Sequence, residues 1–193
     1  MSSKVILASS SPYRKKLMEQ LGVSFEVHNP KFDEKSIKPG SLPPAEFALS
    51  LAEGKAKSLL GLFPKDIIIG CDQICVVQGE ILGKPGTKDG AVEQLKKLNG
   101  KTHELLTAVV VLNDNIAHRH VDQTLLTLRK LEDEQIVSYV DRDDPVQSAG
   151  SYKIEQGGIT LFERIQSDDH TAIVGLPLLK LVEILTKLGL KLP

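Results

Sequence analysis

Apolar runs and amphipathic segments alternate along the first half of the chain. Short, almost wholly apolar runs predict buried strands, and apolar residues spaced three and four apart predict helices that bury one face. The predicted strands cover residues 5–8, 23–27, 66–77, 103–112, 116–129 and 157–165. The predicted helices cover residues 12–21, 43–60, 88–99, 132–142 and 176–189. The pattern predicts a mixed α/β fold with a twisted sheet, flanking helices and two lobes around a cleft, in one domain over residues 1–193.

One connection is unusually long for a compact domain. The polar stretch "HNPKFDEKSIKPGSLPP" is punctuated by proline and glycine and spans residues 28–44. Loops of this length are mostly either functional or disordered. A further turn, "NDN" at residues 113–115, predicts a β-hairpin between two long strands.

Composition narrows the classes of partner. The 193 residues contain 24 Lys+Arg and 25 Asp+Glu, so the net charge is −1 and no global basic field attracts nucleic acid. Aromatic residues make up 4% of the chain and there is no Trp, which argues against a stacking platform for single strands. The two cysteines, Cys71 and Cys75, are predicted to be small buried residues. No signal peptide or apolar run long enough to cross a bilayer is evident, so we expect a cytoplasmic protein without a membrane partner.

The turn between the first predicted strand and the first predicted helix contains residues suited to binding an anion. Ser11 and Pro12 suit the N-cap and first position of a helix, where free backbone N–H groups attract anions. Ser9 adds a hydroxyl, and Arg14 in the first helical turn has a guanidinium that can bind a phosphate in bidentate fashion. The stretch is equally compatible with an ordinary capped helix that has a solvated basic face.

Charged residues in other segments form a second group of candidate site residues. Asp72 follows a buried apolar run and is predicted at or near the end of a strand, where ligand sites of α/β proteins collect. Glu34 lies in the long loop, Lys55 lies in an otherwise apolar helix, and Lys84 lies in a loop bounded by Gly and Pro. With Arg14, they offer cations for a polyphosphate and carboxylates for a metal. His118 and His120 share a strand face, but hairpin strands often expose such residues.

Taken together, the motifs resemble those of the Maf proteins, which are nucleoside triphosphate pyrophosphatases. The resemblance runs from Lys4 to about Leu179 and rests on these stretches: "ILASSSPYRKKLMEQLG", "DE" at 33–34, "KA" at 55–56, "IIIGCDQ", "LGKP" and "AGSYKIEQGGITLFERI…VGLPL". It implies a single Maf-like domain with an inosine triphosphate pyrophosphatase-like (Ham1-like) fold. It also implies two lobes around a nucleotide cleft and metal-dependent cleavage between the α- and β-phosphates.

The resemblance also implies roles for individual residues. Asp72 matches the catalytic acidic residue, and with Glu34 it is expected to bind Mg²⁺ or Mn²⁺. Lys55 and Lys84 are expected to neutralise the triphosphate at the catalytic site. Further motif positions, expected to bind substrate, are Ser9, Arg14 and Gln73. A homodimer is a further implication, to which the C-terminal helix could contribute a face or which it could leave for internal packing.

The substrate branch is predicted from two further residues. Tyr13 stands where the dTTP and UTP branch is typically basic and where the 7-methyl-GTP branch usually has Trp. A purine that carries a positive charge after N7-methylation stacks more strongly on an aromatic ring, by about 0.5–2 kcal/mol. Glu155 matches a position that can accept hydrogen bonds from guanine. The alternatives are a dTTP/UTP pyrophosphatase of the same family and a nucleotide-binding regulator of cell division.

Overall fold

The computed structural model describes residues 3–40, 42–114 and 116–192, so Ser41 of the long loop and Asn115 of the predicted turn lie outside the described residues. The strands are β1 (Val5–Ala8), β2 (Glu26–His28), β3 (Ile67–Val77), β4 (Glu80–Leu82), β5 (Thr102–Asn113), β6 (Ile116–Leu128) and β7 (Phe162–Gln166). The helices are α1 (Pro12–Glu19), α2 (Pro44–Lys57), α3 (Lys88–Leu98), α4 (Asp133–Asp143), α5 (His170–Val174) and α6 (Leu178–Lys187). Short 3₁₀ turns cover Glu34–Ser36, Ala149–Ser151 and Gly157–Leu161. No helix among these residues is both long and apolar enough to cross a membrane.

The strands form one mixed sheet in the order β2-β1-β3-β5-β6-β7, with β4 paired to β3. β1 pairs in parallel with both β2 and β3, and β6 pairs antiparallel with β7. In this register Ala8 lies opposite both His28 and Gly70. The carboxyl end of β1 and the chain that follows β2 therefore emerge at the same edge of the sheet. The predicted mixed α/β fold is confirmed.

The chain divides into two compact units. The first unit contains residues 3–72, 107–122 and 169–192 among those described, and the second contains residues 73–106 and 123–168. In the first unit β1, α1 and α6 share a core that includes Leu7, Met18, Ile69, Leu181 and Leu185. The second unit buries its own apolar residues completely or nearly so: Leu95, Leu98, Leu126, Leu128 and Ile136.

The C-terminal helix packs inward. Leu178, Leu181, Ile184 and Leu185 of α6 are buried in the core of the first unit. Leu179 is 66% exposed on the same helix. The apolar face of α6 therefore serves internal packing, the second of the two possibilities that its sequence left open.

Two predicted strands are shorter than their sequences indicated. The segment 23–27 pairs with β1 only from Glu26, because Val23 and Phe25 pack against the core before the strand begins. The segment 157–165 starts as a 3₁₀ turn and becomes β7 only at Phe162. A Cβ on Gly157 would lie 1.7 Å from a nitrogen of Arg142, so glycine here permits close packing rather than strand pairing. β4 and α5 were not predicted, because three and five residues are too short for a periodic pattern.

Candidate functional site

The first candidate group lies where β1 leads into α1. Ser9 is 3% exposed, and its hydroxyl oxygen accepts a hydrogen bond from the Ser11 N–H at 3.1 Å. Ser11 is the N-cap of α1 and accepts from the Arg14 N–H at 3.4 Å, while Pro12 is the first helical residue. The predicted capped helix start is confirmed. Tyr13 is half-buried on the first turn of the same helix.

The second group is a buried ammonium held by two carboxylates. Lys55 and Asp72 are each 7% exposed, and Lys55 Nζ contacts Asp72 Oδ1 in a short ion pair. The same Nζ lies 2.9 Å from Glu34 Oε1 in the long loop. We call these three residues, Glu34, Lys55 and Asp72, the lysine cluster. Lys55 and Asp72 can be buried because their opposite charges are in contact, while the Glu34 side chain is 49% exposed and contacts the same ammonium from the surface.

Two glycines bring the parts of the lysine cluster together. Gly70 lies two residues before Asp72, and a Cβ there would fall 2.1 Å from the backbone oxygen of Ala52 in α2. β3 therefore approaches α2 almost to backbone contact, within reach of Lys55. On the other side of Lys55, a Cβ on Gly54 would fall 2.4 Å from the ring of Phe32. This contact holds the long loop against α2 next to Glu34.

Arg14 belongs to the same unit and is fixed by a backbone carbonyl. Its Nε donates to the carbonyl oxygen of Gly175 at 2.8 Å, and the Cys71 thiol donates to the same oxygen at 3.0 Å. Burial raises the pKa of the Cys71 thiol, and the charges of Arg14 and Lys55 act in the opposite direction to burial. One backbone carbonyl therefore joins Arg14 of α1 to Cys71 of β3.

The first unit thus contains Ser9, Tyr13, Arg14, Glu34, Lys55 and Asp72, and it places the last three in direct contact. One detail of the sequence prediction was wrong. Asp72 lies in the middle of β3 instead of at or near its end, because Ile74 to Val77 continue the strand and Cys75 to Val77 pair with β4. The pairing of β1 with β3 ends at Gly70, just before Asp72.

The remaining candidates belong to the second unit. Gln73 follows Asp72 on β3 and is half-buried, while Lys84 is exposed in the loop between β4 and α3. Glu155 is exposed in a turn beyond Lys153. That turn is anchored, because the Lys153 N–H donates to the Tyr139 hydroxyl at 2.9 Å.

Metal-binding capacity rests on the two carboxylates of the lysine cluster. Among the described residues, no group of three or more His, Cys, Asp or Glu side chains could hold a metal ion. Magnesium needs only one or two protein carboxylates when substrate phosphates complete its coordination. Glu34 and Asp72, which meet at one ammonium, fit that limited donor set.

Several residues of this site escaped the sequence analysis. Cys71 was predicted only as a buried residue, and Gly175 was quoted within "VGLPL" without a role. Gly70 carried a readable signal, because a glycine inside an otherwise apolar strand often marks close backbone approach. The Gly54–Phe32 contact had no such signal, since it joins a helix to an irregular loop.

Comparison with known proteins identifies the family of the chain. The family described as "Maf-like protein" matches residues 4–188. A "7-methyl-GTP pyrophosphatase" of Bdellovibrio bacteriovorus is 42% identical over 187 residues, covering 97% of this chain and 98% of that protein. One from Syntrophotalea carbinolica is 40% identical, covering 97% and 95%, and one from Aromatoleum aromaticum is 42% identical, covering 99% and 98%.

A solved structure supports the fold. A HAM1 protein from Coxiella burnetii aligns with a TM-score of 0.51 and 12% sequence identity, covering 96% of this chain and all of that one. At this identity the likeness concerns the fold alone, and it agrees with the predicted Ham1-like architecture. By the match over residues 4–188 and by relatives aligned over nearly their whole length, the chain belongs to the Maf family.

Proposed function

We propose that the chain is a nucleoside triphosphate pyrophosphatase that cleaves the α–β phosphoanhydride and prefers 7-methyl-GTP. The observation that carries this proposal is the lysine cluster, in which a buried ammonium contacts both Asp72 and Glu34. Its near-full-length relatives that bear the name 7-methyl-GTP pyrophosphatase supply the substrate class.

The phosphates are assigned to the cations and to the start of α1. Backbone N–H groups at a helix N-terminus favour an anion, and the Arg14 guanidinium lies on the first turn of that helix. Nε of Arg14 donates to the Gly175 carbonyl, and the two terminal nitrogens of the guanidinium carry further N–H donors that suit phosphate oxygens. Lys55 neutralises charge that develops on phosphorus oxygens, and we assign Lys84 the same role from the family motif.

The bond cleavage is assigned to water and Asp72. A water oxygen forms a bond to the α-phosphorus while the bond from that phosphorus to the α–β bridging oxygen breaks in line. The electron pair of the broken bond leaves with pyrophosphate, and the proton of the attacking water passes to the Asp72 carboxylate. Glu34 and Asp72 would hold Mg²⁺ or Mn²⁺, which when bound supplies neutralisation of phosphate charge.

Base selection is assigned to Tyr13, Gln73 and Glu155. Tyr13 presents an aromatic ring on the first turn of α1, where a cationic 7-methylpurine gains a cation–π attraction. The exposed Glu155 carboxylate is suited to accept hydrogen bonds from the N1–H and amino group of guanine. Gln73 can bond the base or the sugar.

The test is a competition between nucleotides. Purified protein with Mg²⁺ or Mn²⁺ is mixed with equal amounts of 7-methyl-GTP, GTP, UTP and dTTP, and the monophosphates and pyrophosphate are resolved by chromatography. We expect 7-methyl-GMP to form well ahead of the others, and a chelator to stop the release of pyrophosphate. Preferential UMP or dTMP would contradict the roles of Tyr13 and Glu155, and release of no pyrophosphate would contradict the activity itself.

We further propose that the enzyme forms a homodimer, as the family resemblance implies, and that it acts in the cytoplasm without a nucleic-acid partner, as its composition indicates. The apolar side of α6 is buried within the first unit, so the dimer contact is assigned to another surface. Light scattering of the purified protein would measure a mass of about twice the 21.1 kDa of the chain. A mass equal to that of one chain would contradict the dimer.

A further inference from the structure

The "VGLPL" segment holds the carbonyl that fixes Arg14. Gly175 lies between α5 and α6 with a φ of 127°, a backbone conformation that residues other than glycine rarely adopt. Its carbonyl oxygen accepts from Arg14 Nε at 2.8 Å. The orientation of this one carbonyl therefore sets the plane of the guanidinium, because Nε and the terminal nitrogens belong to one rigid planar group.

The Gly175 turn is itself held by a buried polar network centred on Thr171. The Thr171 hydroxyl oxygen lies 2.6 Å from Asp169 Oδ1 and 2.9 Å from the Leu176 carbonyl oxygen, and it accepts from the Leu178 N–H at 2.9 Å. The Gly175 N–H donates to the Thr171 carbonyl oxygen at 3.1 Å. Thr171 is thus bonded to the chain on both sides of Gly175.

Asp169 completes the network. It is 4% exposed, its Oδ1 also accepts from the Thr171 N–H at 2.9 Å, and its Oδ2 accepts from the Leu179 N–H at 2.8 Å. These bonds join the start of α5 to the start of α6. A buried network whose members are all hydrogen-bonded makes the enclosed turn rigid.

We propose that Thr171 and Gly175 are positioning residues for the Arg14 guanidinium in the pyrophosphatase reaction. This inference rests on the proposed function. It assigns to the "VGLPL" motif the orientation of Arg14, a role that needs no contact between the motif and the substrate. The hydrogen bonds of Thr171 and Asp169 fix the direction of the Gly175 carbonyl, and that carbonyl fixes the position of Arg14 Nε. The terminal N–H donors of Arg14 then meet the phosphates in a fixed planar arrangement. A bidentate phosphate contact depends on such a preset geometry, which a flexible cation does not provide.

The test is a double-mutant cycle between the network and Arg14. Thr171→Val removes the hydroxyl and keeps the shape of the side chain, Thr171→Ser restores the hydroxyl, and Arg14→Lys removes the guanidinium plane. We expect Thr171→Val to lower kcat/KM about tenfold, the effect of one charge-assisted hydrogen bond, and Thr171→Ser to recover most of the loss. In the Arg14→Lys background the same change should lower kcat/KM less than twofold, because the group that it positions is gone.

A matched control separates positioning from stability. Thr124 is a buried threonine of the second unit, 1% exposed, whose hydroxyl donates to Ser167 Oγ at 3.0 Å. Thr124→Val should lower the melting temperature comparably and leave kcat/KM within twofold of the wild type. If Thr171→Val does not fold, Gly175→Ala makes the same test, because its added Cβ disfavours the positive φ that directs the carbonyl. Equal losses in kcat/KM from Thr171→Val in both the wild-type and Arg14→Lys backgrounds would overturn the proposal.

Binding of inorganic tripolyphosphate, measured by calorimetry, distinguishes this proposal from the proposed function. If the wild type hydrolyses no nucleotide, the pyrophosphatase assignment fails. The double-mutant cycle is then evaluated from the tripolyphosphate affinities of the four proteins. A tenfold weaker affinity in Thr171→Val, absent in the Arg14→Lys background, would support the positioning role. Unchanged affinity, or a wild type that binds no tripolyphosphate, would overturn it.

Discussion

At the scale of single residues, Lys55 carries the electrostatics of the candidate site. Its ammonium contacts two carboxylates, the buried Asp72 and the exposed Glu34, while only 7% of Lys55 is exposed. Removing Lys55 would leave the buried Asp72 carboxylate without an opposite charge, which costs far more than the loss of a surface ion pair. Lys55 and Asp72 therefore have a structural role besides the roles in the reaction that we propose for them.

Replacing Asp72 with Asn separates these two roles. The amide keeps the size of the side chain and an oxygen facing Lys55, whose charge Glu34 still balances, so we expect the fold to survive. We expect kcat to fall by a factor of about a hundred to ten thousand, because the amide cannot accept the proton of the attacking water. Circular dichroism and single-turnover kinetics check the two halves of this prediction. Asp122→Asn is the control, since Asp122 is buried to a similar degree at 8% exposure, and near-normal turnover in Asp72→Asn would refute the assignment.

A buried imidazole in the second unit makes stability depend on pH. His103 is 2% exposed, its Nε2 lies 3.0 Å from the Tyr152 hydroxyl oxygen, and its Nδ1 has no hydrogen-bond partner among the residues described. Burial lowers the pKa of His103 to about 4. The His103 imidazole of the folded protein therefore stays neutral at a pH where the same imidazole in the unfolded chain has already taken up a proton.

The free energy of unfolding should decrease as the pH falls from about 6.5 to 4, because the unfolded state binds more protons over that range. The stabilisation is fully present above about pH 6.5, and its loss is on the order of 3 kcal/mol. Urea unfolding at pH 7, 5.5 and 4.5 measures it for the wild type, His103→Gln and the exposed-residue control His170→Gln. Equal pH slopes for His103→Gln and the wild type would contradict the interpretation.

At the scale of elements, backbone approach between α2 and β3 creates the lysine cluster. The distance of 2.1 Å between a Cβ built on Gly70 and the Ala52 oxygen shows that no side chain fits there without separating the two elements. A long lysine side chain can contact Asp72 only while they stay this close.

Gly70→Ala should therefore reduce both stability and activity. We expect a loss of about 3 kcal/mol or more in the free energy of unfolding, since the collision is with backbone, together with a loss of turnover from a displaced Lys55. Gly61→Ala is the matched control, because a Cβ on Gly61 meets nothing within 4 Å. Chemical denaturation and the pyrophosphate assay compare the two variants, and equal behaviour of both would show that the close approach is not required.

The same contacts explain how far the sequence could be interpreted. Ser11 and Pro12 predicted the start of α1, and the run before Asp72 predicted a buried strand, because local periodicity and capping encode both. The meeting of Glu34, Lys55 and Asp72 could not be derived from spacing, since it depends on contacts between distant segments at Gly54 and Gly70. The family resemblance grouped those residues without explaining their geometry. The task of Gly175 stayed hidden because a backbone carbonyl acts there, and residue type does not encode its direction.

At the scale of the whole molecule, neither compact unit is a continuous stretch of chain. The chain passes from one unit to the other after residues 72, 106, 122 and 168, and three of these crossings lie within or at the ends of β3, β5 and β6. A strand that continues from one unit into the other links the folding of both. We therefore keep one Maf-like domain over residues 1–193 as our proposal.

One domain predicts one cooperative transition. Urea unfolding followed by far-ultraviolet circular dichroism and by tyrosine fluorescence should give coincident curves. Tyr13 reports on the first unit, while Tyr139 and Tyr152 report on the second. In a Tyr13→Phe variant, tyrosine fluorescence reports on the second unit alone. If its unfolding midpoint differs from the midpoint measured by circular dichroism of the same variant, the two units unfold separately.

The core of the first unit has a consequence for how the protein is made. Val5 and Leu7, near the start of the chain, pack in the same cluster as Leu181 and Ile184 near its end. A nascent chain therefore carries Arg14, Lys55 and Asp72 long before the segment that encloses them has left the ribosome. A product of premature termination that lacks residues 169–192 would hold every candidate catalytic side chain but only part of this core, and we expect it to be unable to cleave a nucleotide. We therefore expect pyrophosphatase activity to appear only after residues 169–192 have been synthesised.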